Sequence, residues 1–98
     1  MLVFHEQPNQ KVRVFAEFRP NPNIPTKLGL VGAGKQVIPK TFFWAGKRYD
    51  IQAINLVYQR RRGTKFDWCF AVSDQANVFV LVFNPESLEW TLAEVQGE

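Results

Sequence analysis

Three consecutive arginines, Arg60, Arg61 and Arg62, stand in the stretch VYQRRRGTKFDW, between two runs rich in aromatic and β-branched residues. Lys47, Arg48, Tyr58 and Lys65 lie close by along the chain. Guanidinium and ammonium groups hold phosphate without reading sequence, and exposed rings stack on bases. The same residues have a plainer use: a charged turn keeps a hydrophobic ribbon in solution. These alternatives, a nucleic-acid contact and a solvated hairpin, frame the functional reading.

Other chemistry is poorly supplied. The segment GLVGAGKQ, Gly29 to Gln36, nearly spells a phosphate-binding loop, with Gly29, Gly34 and Lys35 in place. Gln36, however, stands where a hydroxyl should meet Mg²⁺, and Pro39 follows where a helix should turn its amides to phosphate. A flexible, weakly cationic loop is the expectation. His5 and Cys69 are each the sole residue of their kind, whereas a zinc site needs three or four such ligands. Cys69 alternates with aromatic residues and is expected to pack as a small core residue. Asp67, Asp74, Glu86, Glu89 and Glu94 fall at turns or on outward strand positions. No spacing among them brings two carboxylates into a cleft. No catalytic residue, metal or cofactor is expected, and the chain reads as a non-enzyme.

The elements that must carry these residues follow from composition and period. Ninety-eight residues make one domain, 1–98, with a single modest core. Fourteen aromatic residues favour strands. One cysteine allows no internal disulfide, no apolar run reaches bilayer length, and the opening MLVFHEQPNQ lacks a signal-peptide pattern. A cytoplasmic protein with no membrane association is therefore expected. The net charge of +3 conceals a division. Lys35–Lys65 carries +7 and Phe66–Glu98 carries −6. Basic and acidic strands can neutralise each other in a sheet, or the basic half can present a patch to an acidic partner.

KVRVFAEF alternates, with Val12, Val14, Ala16 and Phe18 on one side, and reads as a half-buried strand. Residues 1–10 precede it as a flexible lead-in. Residues 20–36, punctuated by proline and glycine, read as an exposed excursion that ends in a short strand at Gln36–Ile38. KTFFW is a strand, Ala45-Gly46 a turn, and KRYDIQAINLVYQ the return. The apolar phase of that return slips between Ile51 and Ile54, as at a bulge. FDWCFAVS alternates again. VFVLVF is apolar on both faces. Phe79, Leu81 and Phe83 serve the core, so Val78, Val80 and Val82 need a second cover, either another part of this chain or another subunit, and self-association is expected. NPESLEWTLAEV fits either a helix begun at Asn84-Pro85 or a hairpin loop and final strand. Short strands with regularly spaced turns define the expected class: all-β, a small antiparallel barrel or sandwich of five to seven short strands. The expected core is Val12, Val14, Phe18, Phe43, Tyr49, Ile51, Ile54, Trp68, Phe70, Leu81, Phe83, Trp90 and Leu92.

The residues Trp44, Gly46, Tyr49, Ile51, Ile54, Phe79, Leu81, Asn84, Trp90, Leu92 and Val95 follow a W-x-G-x-x-Y-x-V…W-x-L-x-x-V pattern. In this the chain resembles an uncharacterised family of small bacterial all-β domains. The match spans about four-fifths of the chain and rests on packing residues. It departs from the family in the inserted excursion Asn21–Lys35 and in Asn84, where an aspartate is usual. The resemblance implies a strand at the C-terminus. Similar domains are appended to DNA-damage proteins related to translesion polymerases, which implies a DNA-associated accessory role without catalytic residues.

Together these readings make a non-catalytic interaction module the leading expectation. Its partner would be DNA, RNA or a nucleic-acid-processing protein, engaged by Arg60, Arg61, Arg62, Lys65, Lys47, Arg48 and Tyr58. The alternatives are a structural or protein-binding subunit that self-associates through Val78, Val80 and Val82, and a small-ligand-binding β-barrel.

Overall fold

A computed structural model describes residues 4–19, 30–31 and 35–97. Strand follows strand throughout: β1 (Phe4–Glu6), β2 (Gln10–Arg19), β3 (Leu30–Val31), β4 (Lys35–Trp44), β5 (Lys47–Asp50), β6 (Ala53–Arg62), β7 (Lys65–Ser73), β8 (Asn77–Asn84) and β9 (Glu89–Gly97). The described residues are all-β, and their nine strands form one antiparallel sheet in the order β3-β4-β2-β9-β8-β7-β6. β1 pairs with β9, and β5 with β4. The sheet is not closed by hydrogen bonds. It bends at β2 into two wings, an open barrel in outline. Gln10–Val12 pair with β9 and Arg13–Arg19 with β4, so one strand belongs to both wings. The strand count exceeds seven because β1 and β3 are fragments of three and two residues.

The long wing, β6 to β9, is made by tight turns with local causes. Gly63, at φ +65°, opens the two-residue link between β6 and β7, the Gly-first pattern that matches strand twist. Ala45 and Gly46 are both left-handed, at φ +53° and +73°, as a primed turn requires. Asp74 Oδ1 accepts from the amides of Ala76 and Asn77 and holds the β7–β8 turn. The final segment is strand, Glu89–Gly97, and not a helix begun at Asn84-Pro85. The turn between β8 and β9 is built on Asn84, whose Oδ1 accepts from the amides of Glu86 and Ser87.

Between the wings lies the core: Val37, Phe42, Phe70, Val72, Phe79, Leu81, Phe83, Trp90, Leu92 and Val95. Val12, Val14, Trp44, Tyr49, Ile51, Ile54 and Trp68 pack partly buried against it. Two expected core residues are corrected. Phe18 lies on the inward side but beyond the end of the core, and is 55% exposed. Phe43 faces outward and its neighbour Phe42 is buried. A register shift opposite Phe15-Ala16, where β4 passes through Pro39, resets the phase of FFW. Proline has no amide to give a ladder and is tolerated at such irregularities.

The slip expected between Ile51 and Ile54 is a break in the strand: the return is two strands, β5 paired with β4 and β6 paired with β7, with Ile51-Gln52 between them, and a second register shift follows between Ile54 and Leu56. A third falls between Val80 and Leu81. Residues 1–10 were expected as a lead-in, yet Phe4–Glu6 pair with Val95–Gly97. His5 Nε2 lies 2.7 Å from Glu94 Oε1. Of the excursion at 20–36, Leu30–Val31 pair with Lys35–Gln36. Residues 20–29 and 32–34 lie outside the described residues, and so does most of the glycine loop. Lys35 itself begins a strand, where a phosphate-binding loop would begin a helix.

The two neighbouring phenylalanines offer a direct check on this phase. Phe42→Ala should lower unfolding free energy by about 3–5 kcal/mol, the usual cost of emptying a filled aromatic site. Phe43→Ala should cost about 1–2 kcal/mol, because its ring packs on the outer face against Arg13 and Phe15 and stays partly exposed. Urea denaturation of both variants measures the difference. Equal losses would place Phe43 in the core after all.

Candidate functional site

β6 runs straight through the arginine triplet, and the turn is only Gly63-Thr64. Strand alternation therefore splits the triplet between two faces. Tyr58, Arg60 and Arg62 lie on the outer face, opposite Cys69, Asp67 and Lys65 of β7. Gln59 and Arg61 lie on the core side, opposite Trp68 and Phe66.

On the outer face the charges are largely matched. Arg62 Nε donates to both Asp67 oxygens, at 3.1 and 3.2 Å, and its Nη2 donates to Glu86 Oε1 at 3.3 Å. Lys65 Nζ lies 3.1 Å from the other oxygen of Glu86. Asp67 is buried under this network. The cluster clips the end of the β6–β7 hairpin to the β8–β9 turn, and it explains part of the charge division along the chain. The Lys65 and Arg62 groups beside Glu86 hold its carboxyl below the usual range.

Arg60 and Arg61 are differently placed. Neither has a carboxylate partner among the described residues. Arg61 Nε donates to the carbonyl of Gly63 at 2.8 Å, which directs the guanidinium along the turn. Across from it Phe66 is 46% exposed, past the edge of the core that Trp68 joins. An exposed ring and an uncommitted guanidinium thus face the same side of the hairpin end. Sequence reading included the arginine but not Phe66. The signal was the two-residue period that puts Phe66 on the side of Phe70 but one step past Trp68.

Lys47 and Arg48 belong to β5, beside β4, whereas Arg60–Arg62 end β6 at the other limit of the sheet order. Lys47 Nζ stands 5.3 Å from the centre of the Tyr49 ring. Arg48 Nε donates to Asp50 Oδ1 at 2.9 Å, and Asp50 also accepts from Thr41 Oγ1. That arginine, with Thr41 second, keeps the Asp50 carboxyl below its ordinary range. No hydrogen bond or ion pair among the described residues joins the β5 cations to the hairpin arginines.

The outer apolar face is shorter than its alternating sequence implies. Val82 is buried with Cys69 and Ala93 in a small second cluster, and Val80 is half-buried against it. Val78 remains exposed on the outer face, in the row of Ser73 and Ala53, while exposed Leu56 and Tyr58 lie farther along that face on β6, in the rows of Val80 and Val82. Burial raises the pKa of the Cys69 thiol and that of the Tyr58 phenol. Cys69 is thereby kept in its unreactive protonated form, as a packed residue.

A further grouping escaped the sequence reading. Arg13, Phe43 and Arg48 form one cross-strand row on the outer face of β2, β4 and β5. The Arg13 guanidinium lies 4.5 Å from the centre of the Phe43 ring and 5.6 Å from that of Phe15. Its signal was an apolar Phe15 between Arg13 and Glu17, on the polar side of an alternating strand.

The depressed Glu86 carboxyl fixes the sign of a pH dependence. Its pKa is lower folded than unfolded, so its contribution to stability is present above the unfolded value, about 4.3. That contribution disappears as pH falls through the folded value. Glu86→Gln should lower the melting temperature at neutral pH, and the gap to the unaltered protein should close under acid. Thermal melts from pH 7 to 3 measure this, and a gap that widens with acid contradicts the clip. No family model matches the chain, and neither a curated protein nor a solved structure does.

Proposed function

We propose that this protein is a non-catalytic interaction module that contacts single-stranded nucleic acid through the end of the β6–β7 hairpin. The observation that carries the reading is the cross-strand pair Arg61–Phe66, exposed and facing one way, with Arg60 uncommitted on the opposite face. Guanidinium groups neutralise backbone phosphates while an exposed ring accepts a base, and the combination tolerates any sequence. Tyr58, on the outer row with Arg60, offers a second partly exposed ring. Arg62 and Lys65 play a supporting part. Their carboxylate partners hold the hairpin end in shape, so they add less to phosphate binding than their number implies. Lys47 and Arg48 are secondary contacts on the other flank. The resemblance to domains attached to DNA-damage proteins agrees with an accessory role beside a nucleic-acid-processing enzyme.

The non-catalytic character rests on how the reactive groups are used. Asp67, Asp50, Glu86 and Glu89 are each engaged by a cation. Asp74 holds a turn, and the Cys69 thiol is buried.

Fluorescence anisotropy with a labelled single-stranded oligonucleotide across a salt series tests the proposal. Affinity should fall steeply with salt. The joint substitution Arg60→Ala and Arg61→Ala should reduce the slope of log affinity against log salt by roughly 1 to 1.5. Phe66→Ala should weaken binding about fivefold or more without changing that slope. Binding unaltered in both variants would reject this site.

Self-association is a second reading, favoured by the exposed Leu56, Tyr58 and Val78 on one outer face. A Val78→Asp substitution should then convert a dimer to a monomer in sedimentation analysis. A protein already monomeric at high concentration removes this reading and leaves the first untouched.

A further inference from the structure

Val12 is the last residue of β2 that pairs with β9, and from Arg13 to Arg19 the strand pairs with β4 alone. In a strand, successive amides and carbonyls point to alternate sides. Half of those on Arg13–Arg19 therefore point away from β4, toward a side where no strand is paired among the described residues. Beside this edge runs a groove of about 740 Å³. Val14, Ala16 and Phe18 line one wall, and Phe83, Leu88 and Trp90 the other.

The groove presents apolar surface that the core does not use. Phe18 is 55% exposed and touches Phe83 edge-on, with ring centres 6.3 Å apart. Leu88 is 65% exposed. It also has φ +63°, a left-handed conformation that is sterically disfavoured for a non-glycine residue. The turn enforces it: the Leu88 amide donates to the Asn84 carbonyl at 2.8 Å, and the Asn84 side chain accepts from the amides of Glu86 and Ser87 between them. A turn needed only for connection would favour glycine or asparagine here. Leucine in a strained position places an apolar side chain at the rim of the groove. On the opposite rim is Arg13, stacked on Phe43 and Phe15, with no carboxylate partner among the described residues.

The geometry points to a binding site for one extended strand of a partner protein, added along the free edge of β2 from Arg13 to Arg19. The unpaired ladder selects the occupant, because only a polypeptide backbone supplies donors and acceptors in the matching repeat. Its inward side chains, at every second position, cover Phe18, Phe83, Leu88 and Trp90 and must be apolar. Its outward side chains lie in the row of Arg13 and Phe15, where a carboxylate meets the unpaired guanidinium. The motif is apolar-x-apolar with an acidic residue between. This site is separate from the hairpin end, and the two proposals stand or fall independently.

The test uses the full chain, labelled with ¹⁵N, and an octapeptide in which valine alternates with threonine and one aspartate. Amide shifts should saturate and concentrate on Arg13–Arg19 and Phe83–Trp90. N-methylating alternate peptide amides should abolish binding in one register and spare it in the other. Leu88→Gly relieves the backbone strain, so it should keep or raise the melting temperature yet weaken binding about tenfold. Replacing the peptide aspartate by asparagine should weaken binding to the unaltered protein but not to Arg13→Gln. The proposal is overturned by an absence of shifts at millimolar peptide, by shifts elsewhere, or by equal binding of the two methylated registers. Concentration-dependent shifts at these residues without peptide would assign the groove to a second copy and overturn it as well.

Discussion

Side-chain packing, more than hydrogen bonding, brings the two wings of this sheet together. The strand order has two ends that do not pair. The short wing is held over the long one chiefly by rings: Phe42 against Phe79 at 4.9 Å between centres, and Tyr49 against Phe79 at 5.3 Å. Phe42 and Tyr49 are themselves stacked at 5.0 Å, so they act as one slab across β4 and β5. Phe70, Trp90 and Phe83 continue the contact inside the long wing. Aromatic pairs in such geometries add about 0.5–1.5 kcal/mol each beyond the area they bury. Two backbone bonds at the corner, Ile51 to Lys40 and Gln52 to Ser73, carry the chain from one wing to the other. The interior aromatic load seen in the composition is thus what lets an unclosed sheet behave as a barrel.

Opening the sheet has a structural consequence at each margin. β6 is a ten-residue edge strand, the kind of surface that pairs with stray strands. Its end carries the arginine triplet and its start carries a register shift, both of which discourage such pairing. The margin along β2 is different. There Phe18 and, across the gap, Leu88 are exposed beside Arg13, Phe15 and Glu17. One margin ends in clustered arginines and the other combines apolar surface with an unpaired backbone, and that difference separates the two proposed contacts on physical grounds.

Much of the fold was legible because the two-residue period was clean wherever strands ran without interruption. KVRVFAEF, FDWCFAVS and VFVLVF all lie in strands as read, with Phe70, Leu81 and Phe83 buried. The turns at Ala45-Gly46, Gly63 and Asp74 were legible from their residue types. Errors gathered where a register shift broke the period. FFW has no polar partner to fix its phase, and the irregularity opposite Phe15-Ala16 decided for Phe42 over Phe43. Pro39 was read as a terminator of strand, yet it lies within β4 at that irregularity. The candidate site was legible as composition but not as geometry. Three adjacent arginines read as one patch, and only the alternation of β6 shows that Arg61 turns toward Phe66 while Arg60 and Arg62 turn away.

The charge division along the sequence acquires a location once pairs are assigned. Lys11 pairs with Glu89, Arg62 and Lys65 with Glu86, Arg62 with Asp67, and His5 with Glu94, each joining an N-terminal or middle strand to the acidic last third. Apart from Arg62–Asp67, whose carboxylate is buried, these pairs are exposed and add little stability, but they engage cations that an external anion would otherwise meet. Among the described side chains, Arg13, Lys47, Arg60 and Arg61 are cations with no carboxylate partner. Lys47 and Arg13 already lie over aromatic rings. Among the described side chains the unpaired cations are a pair of arginines on the two faces of one hairpin and single cations beside rings. An anionic polymer would need the hairpin, whereas a single carboxylate would be satisfied by Arg13. The number and spacing of the unpaired cations, more than the total charge, decide what kind of partner each surface fits.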